Sequence, residues 1–197
     1  MGAGGRTIAG MNSDTPQGMN GRRVVVVGGV AGGMSTATRL RRLDPDATII
    51  VLERSGHVSY ANCGLPYYAG GVIEDREQLL LQTPERLHDR FRLDVRVHNE
   101  VTAIDTEART VRVRHVGDGE EYVEQYDTLV LSTGAAPFVP QMPGVERALT
   151  LRTVEDVDRI TASLEGASTA VIVGGGFIGV ELAENLRHRG VAVALVE

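Results

Sequence analysis

Apolar residues recur along this chain with two different periods, and the alternation between them outlines a fold. The stretch RRVVVVGG, from Arg22, is a short β-branched run that stops at glycines, as a buried parallel strand does. MSTATRLRRL, from Met34, spaces its apolar positions as a helix would, and ATIIVLE, from Ala47, reads as a second buried strand. Strand, glycine turn, helix and strand in that order make a βαβ unit. The same pattern returns in TAVIVGGGFIGVELAENLRHRGVAVALVE, from Thr169 to Glu197, with its helix expected over Ile178 to Arg189.

Between the two copies, QTPERLHDRF predicts a helix, with Thr83 as N-cap and Pro84 in its first turn. EVTAID, TVRVRHV and EEYVEQY alternate apolar and polar residues, and GDG separates the last two. They predict a small antiparallel meander. DTLVLSTGAAPFVP is a further buried strand that breaks at glycine and proline, and VEDVDRITASL is an amphipathic helix. The expected fold class is therefore α/β. Residues 21–150 form a Rossmann-like domain with an antiparallel β-meander, and residues 151–197 begin a second Rossmann-like domain. Residues 1–20 are rich in Gly, Ser, Asn and Pro and are expected to be a disordered tail; they lack the apolar stretch of a signal peptide. Two such units imply two dinucleotide sites, with electrons passing between two cofactors.

The glycine turns carry the first candidate chemistry. In the opening unit the turn is Gly28-Gly29-Val30-Ala31-Gly32-Gly33. Gly28 permits the tight exit from the strand, Gly33 permits close helix packing, and the helix N-terminus faces a pyrophosphate. Val30 stands where the usual pattern has its middle glycine. Glu53, at the end of the second strand, is placed to accept hydrogen bonds from ribose hydroxyls. The second turn has all three glycines, Gly174, Gly176 and Gly179, and Glu197 takes the ribose position. A carboxylate there repels a 2′-phosphate, which favours NADH while leaving NADPH possible.

Composition narrows the remaining choices. The net charge of −6 argues against a nucleic-acid or anionic-membrane surface, and no apolar run is long enough to span a membrane. All 20 basic residues are arginine, so no Schiff-base or phosphate-loop lysine exists. The single cysteine, Cys63, excludes an intramolecular disulfide and is compatible with a reducing cytoplasm. No metal site is expected. A free cysteine often behaves as a small buried hydrophobe. Cys63 instead lies among Ser59, Asn62 and Gly64, just ahead of Pro66 and a possible helix start. A thiolate is stabilised in such a place.

Taken in order, VVVGGVAGGMSTATRLRRL, VLER, VSYANCGLPYY, LLLQTPERL, VLSTGAAP and VIVGGGFIGVELAENL resemble the pyridine nucleotide-disulfide oxidoreductases. Within them the chain is similar to the single-cysteine branch, and most of all to the coenzyme A-disulfide reductases. The resemblance covers residues 22 to 197. It implies FAD on the first unit and NAD(P)H on the second. It places Val101 against the flavin adenine, and Ser132, Thr133 and Gly134 beside the flavin. Phe177 becomes a gate over the nicotinamide pocket, and Glu181 a nicotinamide-side contact. Arg54, Ala31, Gly32 and Ile178 complete the cofactor set, and Cys63, Asn62 and Ser59 form the catalytic set. One sulfur must store oxidation as a mixed disulfide or a sulfenic acid. Oxidases and peroxidases of the branch carry a His in the first glycine loop, where this chain has Ala31. Ser35, Arg39 and Arg42 match coenzyme A contacts. Arg39 and Arg42 share one helix face, for which the alternative is ordinary solvation.

The implied activity passes electrons from NAD(P)H through flavin to Cys63, which reduces coenzyme A disulfide or another small disulfide. The alternatives are a NADH oxidase or peroxidase, a polysulfide or persulfide reductase, or an inactive flavin-binding fragment. The resemblance also implies a later flavin-contacting segment and a C-terminal domain that makes the full-length protein a homodimer. Residues 1–197 alone are therefore expected to hold flavin weakly and to show no NADH-dependent disulfide reduction.

Overall fold

The computed structural model describes residues 21–197. The expected disordered tail lies outside the described residues. β1 (Arg23–Val27), α1 (Ala31–Leu43) and β2 (Thr48–Leu52) form the opening βαβ unit. After β2 come a short helix α2 (Leu65–Ala69), α3 (Pro84–Phe91) and β3 (Asp94–Arg96). β4 (Asn99–Asp105), β5 (Thr110–His115) and β6 (Glu121–Gln125) make the meander, and β7 (Thr128–Leu131) returns to the first sheet. α4 (Val154–Ser163) leads to the second unit, made of β8 (Thr169–Val173), α5 (Phe177–His188) and β9 (Ala192–Val196).

The first sheet is parallel with order β3-β2-β1-β7. Its central strands are buried on both faces, which is why they read as unbroken Val and Ile runs. One face packs Val24, Val26, Ile49 and Val51 against Met34 and Ala37 of α1 and Leu87 of α3. The other packs Val25, Ile50 and Leu52 against Val111 and Val113 of the meander. The meander is antiparallel, with a register shift between Val101 and Ala103. α3 begins on Thr83, whose hydroxyl accepts from the Arg86 amide at 3.3 Å, with Pro84 in the first turn.

A third cluster joins the two units. Leu65, Ala69 and Leu79 from the segment after the cysteine pack against Val154, Val157 and Ile160 of α4 and Leu186 of α5. The contact is close. A Cβ on Gly70 would stand 2.5 Å from Asn185 Cβ, and Arg189 donates to the Ala69 carbonyl at 2.9 Å, closing the end of α2. β8 and β9 pair only with each other among the described residues. Val171, Val173, Phe177 and Ile178 remain exposed.

Three elements differ from the sequence reading. α1 starts at Ala31, ahead of Met34, because its glycines serve backbone approach and do not end the helix. α5 spans Phe177–His188, one residue earlier at each end than expected. β3 has no counterpart in the reading. With three residues and only partial burial it carries too little pattern, yet it pairs with β2 from Ile50↔Asp94 to Leu52↔Arg96.

Candidate functional site

Gly28 leaves β1 at φ 101, a conformation that favours glycine. Its amide donates to Leu52 O at 2.8 Å, and a Cβ there would lie 2.2 Å from Ser132 O. A Cβ on Gly33 would lie 1.8 Å from Gly28 O, so the helix can sit this close to the strand only with glycine there. Val30 has φ −103 and packs at the edge of the cluster between the units. Its φ is negative, so this position does not call for the left-handed backbone that only glycine adopts freely.

α1 has no side-chain cap and no acidic residue in its first turn. α3 and α4, by contrast, start on Thr83 and on a Thr153–Asp156 capping box. The first amides of α1 are thus left free for an anion, and the dipole favours one. Glu53 is buried. Its Oε2 accepts from Gly29 N at 2.7 Å, and its Oε1 accepts from Ser55 N and Oγ, both at 2.8 Å. A carboxylate has about four acceptor positions. Three are filled by protein donors that hold it against the glycine turn, which leaves one for a hydroxyl.

The second turn repeats this geometry. Gly174 has φ 108 and donates to Val196 O at 2.8 Å. A Cβ on Gly179 would lie 2.0 Å from Gly174 O, and Glu197 accepts from the Gly175 amide. α5 starts on Gly176, again without a side-chain cap or an early acid. Phe177, Ile178 and Glu181 at its start are exposed.

A cavity of about 490 Å³ opens above the first turn. It is lined by Gly28, Val30, Ala31, Gly32, Glu53 and Arg54 on one side, and by Val101, Ser132, Thr133 and Gly134 on the other. Asn62 belongs to its wall as well. Gly33 is not in the lining; it acts by letting the helix close on the strand. Size and lining fit a dinucleotide-type ligand, with backbone amides for a pyrophosphate and a carboxylate for a sugar.

Cys63 is exposed, in a 3₁₀ turn (Asn62–Gly64) that runs into α2 with Pro66 near its start. The turn is tied to the cavity. Ser59, at φ 49, donates its amide to Gly29 O at 2.9 Å, and buried Val58 packs beside Gly29. Ala61 donates to Leu79 O at 2.8 Å. The thiol therefore stands one residue from the cavity wall and faces solvent, which rules out the small-buried-hydrophobe role.

Ser35, Arg39 and Arg42 lie exposed along α1, and neither arginine has an ion-pair partner among the described residues. Arg41, between them in sequence, points elsewhere. It donates to the carbonyls of Phe91 at 2.8 Å, Pro45 at 2.8 Å and Arg92 at 3.1 Å, and so clamps the ends of α1 and α3.

Sequence reasoning missed Tyr60, Arg152, Thr153 and Asn99 in the cavity wall. Tyr60 donates to Arg152 O at 3.3 Å, and burial, aided by Glu53 and Glu155, pushes its hydroxyl up to about 12. It therefore stays protonated at neutral pH. Arg152 donates from Nη2 to Thr133 O at 2.8 Å and has no ion-pair partner among the described residues. A half-buried cation is thus presented to the cavity. No local pattern marks these residues, because each reaches the site through long-range packing.

Glu155 links α4 to the loop after β2 by accepting from Gly56 N at 3.0 Å. Burial alone would raise it, but hydrogen bonds from the Glu155 and Gly56 amides and from Thr153 hold it below its ordinary 4.5. A depressed carboxylate contributes stability that is fully present above its unfolded value and lost as pH falls through its folded one. The urea midpoint is expected to drop as pH falls below about 4.5, and Glu155→Gln is expected to flatten that slope. An unchanged slope in the variant would refute the link.

Two strand–glycine turn–helix units, each with a carboxylate bound to its turn, and an exposed lone thiol beside the first define a dinucleotide-dependent redox protein. The comparisons sharpen that class. The chain matches the family model of the pyridine nucleotide-disulphide oxidoreductases over residues 22–197, and it belongs to that family. That family is one of oxidoreductases. It is 39% identical over 176 residues to coenzyme A disulfide reductase of Staphylococcus epidermidis, covering 88% of this chain and 40% of that protein. Among solved structures it is similar to the reduced CoADR-RHD of Bacillus anthracis, with TM-score 0.86 and 53% identity, covering 89% of this chain and 32% of that one. It is also similar to a NAD-dependent persulfide reductase from A. fulgidus, with TM-score 0.83 and 38% identity, covering 88% and 33%. The chain thus spans about 40% of the length of the curated relatives it matches. No helix of the described residues is long and apolar enough to cross a membrane, and no cluster of metal-ligating side chains occurs among them.

Proposed function

We propose that the full-length protein uses NADH to reduce coenzyme A disulfide at Cys63. The observation that carries this reading is the exposed Cys63 turn, tied through Ser59 and Asn62 to a cavity fitted for FAD. When bound, FAD supplies the two-electron chemistry between nicotinamide and sulfur.

The residues of this chain do the rest. The amides at the start of α1 hold the pyrophosphate, Glu53 takes a ribose hydroxyl, and Ser132, Thr133 and Gly134 line the opposite wall. On the second turn the α5 amides and Glu197 hold the nicotinamide dinucleotide, and the Glu197 carboxylate disfavours a 2′-phosphate. Phe177 and Glu181 border the nicotinamide end. Ser35, Arg39 and Arg42 offer a hydroxyl and two free guanidinium groups to the phosphates of coenzyme A. Cys63 attacks the substrate disulfide as a thiolate. It forms a mixed disulfide and releases one coenzyme A thiol, and a further electron pair then frees the second. Ala31 brings no imidazole to the first glycine turn, which favours disulfide over peroxide or oxygen as the acceptor. A cytoplasmic homodimer is the state this reading expects.

The test is chemical. The oxidised full-length protein, denatured and treated with reductant, is expected to release coenzyme A in proportion to Cys63. Finding Cys63 as sulfenic acid, with no thiol released, would move the reading to a peroxidase or oxidase.

A further inference from the structure

A polar chain outside the glycine turns reaches the wall of the cavity from the far side of the meander. Glu124, buried on β6, is held by Arg23 Nε at 3.1 Å and by Arg96 Nη1 at 2.7 Å. The same Arg96 nitrogen donates to the Tyr122 hydroxyl at 3.2 Å, and its guanidinium lies 5.7 Å from the centre of the Tyr122 ring. The Tyr122 hydroxyl in turn stands 2.8 Å from Asn99 Oδ1, and Asn99 Nδ2 donates to Val97 O at 2.7 Å.

Every direction in this chain is forced. A guanidinium only donates, so the Tyr122 oxygen must accept from Arg96 and spend its own proton on Asn99. The Val97 carbonyl only accepts, so the amide nitrogen of Asn99 faces it and the amide oxygen faces Tyr122. Both polar ends of the Asn99 side chain are therefore occupied by protein. Asn99 serves the cavity through its backbone. Its amide donates to Glu53 O at 2.8 Å, directly behind the carboxylate that grips the glycine turn. His98, just before it, turns the chain at φ 57. The wall Asn99–Val101 follows, and past Val101 the β4–β5 register shifts.

We propose that Tyr122 is a positioning residue for the cofactor: by locking Asn99 it sets the Asn99–Val101 wall of the cavity. This rests on the reading of the cavity as an FAD site. FAD exchanging electrons with Cys63 would have its ring near Asn62, next to the cysteine in sequence, and Asn99–Val101 would then border another part of the ligand. Loss of the lock then loosens the grip on FAD without touching the redox end.

Tyr122→Phe removes one oxygen and keeps the packing. In full-length apoprotein titrated with FAD and followed by flavin fluorescence, the variant is expected to bind FAD about fivefold to tenfold more weakly, the effect of one net hydrogen bond. Turnover at saturating FAD is expected to match the parent. Asn99→Ala is expected to weaken FAD by a similar factor, and the double variant by no more than either alone. An unchanged FAD affinity in Tyr122→Phe, or a saturated turnover that falls in step with affinity, would overturn the inference. A merely structural tyrosine would lower the urea midpoint of the apoprotein and leave the affinity where it was. If the parent itself bound no FAD, the underlying reading would fall, and this inference with it.

Discussion

Replacing Cys63 by serine in the full-length protein is expected to reduce NADH-dependent disulfide reduction to background while leaving FAD bound. Sulfur is the only atom type in this chain's site that can form a mixed disulfide, and residues 1–197 hold no second cysteine to substitute. The serine hydroxyl is similar in shape but cannot hold the oxidised state. Cys63 is exposed and its side chain is absent from the cavity lining, so the fold and the flavin grip lose nothing. A surface change of this kind shifts stability by about 0.5 kcal/mol or less. The measurements are turnover, flavin absorbance of the purified variant and a urea melt. Undiminished turnover would remove Cys63 from the mechanism. Loss of flavin together with turnover would mean that the cysteine turn supports the cavity and does not do the chemistry.

That separation of roles was partly legible in the sequence. The two glycine turns were, because a strand that must turn at once into a helix needs positive φ at Gly28 and Gly174 and bare backbone at Gly33 and Gly179. The Thr83 cap and the unbroken Val and Ile strands were legible for the same reason, since each is dictated by its own few residues. Glu53 and Glu197 were found by their distance past the turns. Their grip on the Gly29 and Gly175 amides was not, for it needs the strand ends in register. Arg152 and Tyr60 left no trace. Their place in the wall depends on α4 docking over the cysteine segment through Leu65, Leu79 and Val157. The roles of Cys63, Ser35, Arg39 and Arg42 came from resemblance to a family. The structure adds that the thiol is exposed and that Arg41 is committed to carbonyls while its neighbours are free.

The glycines offer the sharpest contrast between folding and binding. Gly33→Ala is expected to destabilise the protein by ~3 kcal/mol or more, the upper end of overpacking. The added methyl would stand 1.8 Å from Gly28 O and 3.3 Å from Val26 Cγ1. Neither can retreat. Gly28 is tied to Leu52 O at 2.8 Å and already abuts the Ser132 backbone, and Val26 is fully buried in the central strand. α1 would have to lift off the sheet and take Met34 and Ala37 out of the core. Against a total stability of about 5–15 kcal/mol, that loss is large. Gly32 lies next to it and behaves differently. Its nearest neighbour to a new Cβ is Ser132 Oγ at 3.6 Å, an ordinary contact, and its helical backbone suits alanine better than glycine. Gly32→Ala is expected to leave the urea midpoint unchanged or raise it slightly. Its methyl, however, projects into the cavity that Gly32 lines, where the ligand's backbone-bound anion must come close. Flavin affinity is therefore expected to fall in a fully folded protein. Urea melts and FAD titrations of the two variants, run side by side, measure both effects. If Gly33→Ala melted like the parent, the close approach of α1 to β1 would be wrong. If Gly32→Ala bound FAD as the parent does, the anion would not sit at this turn.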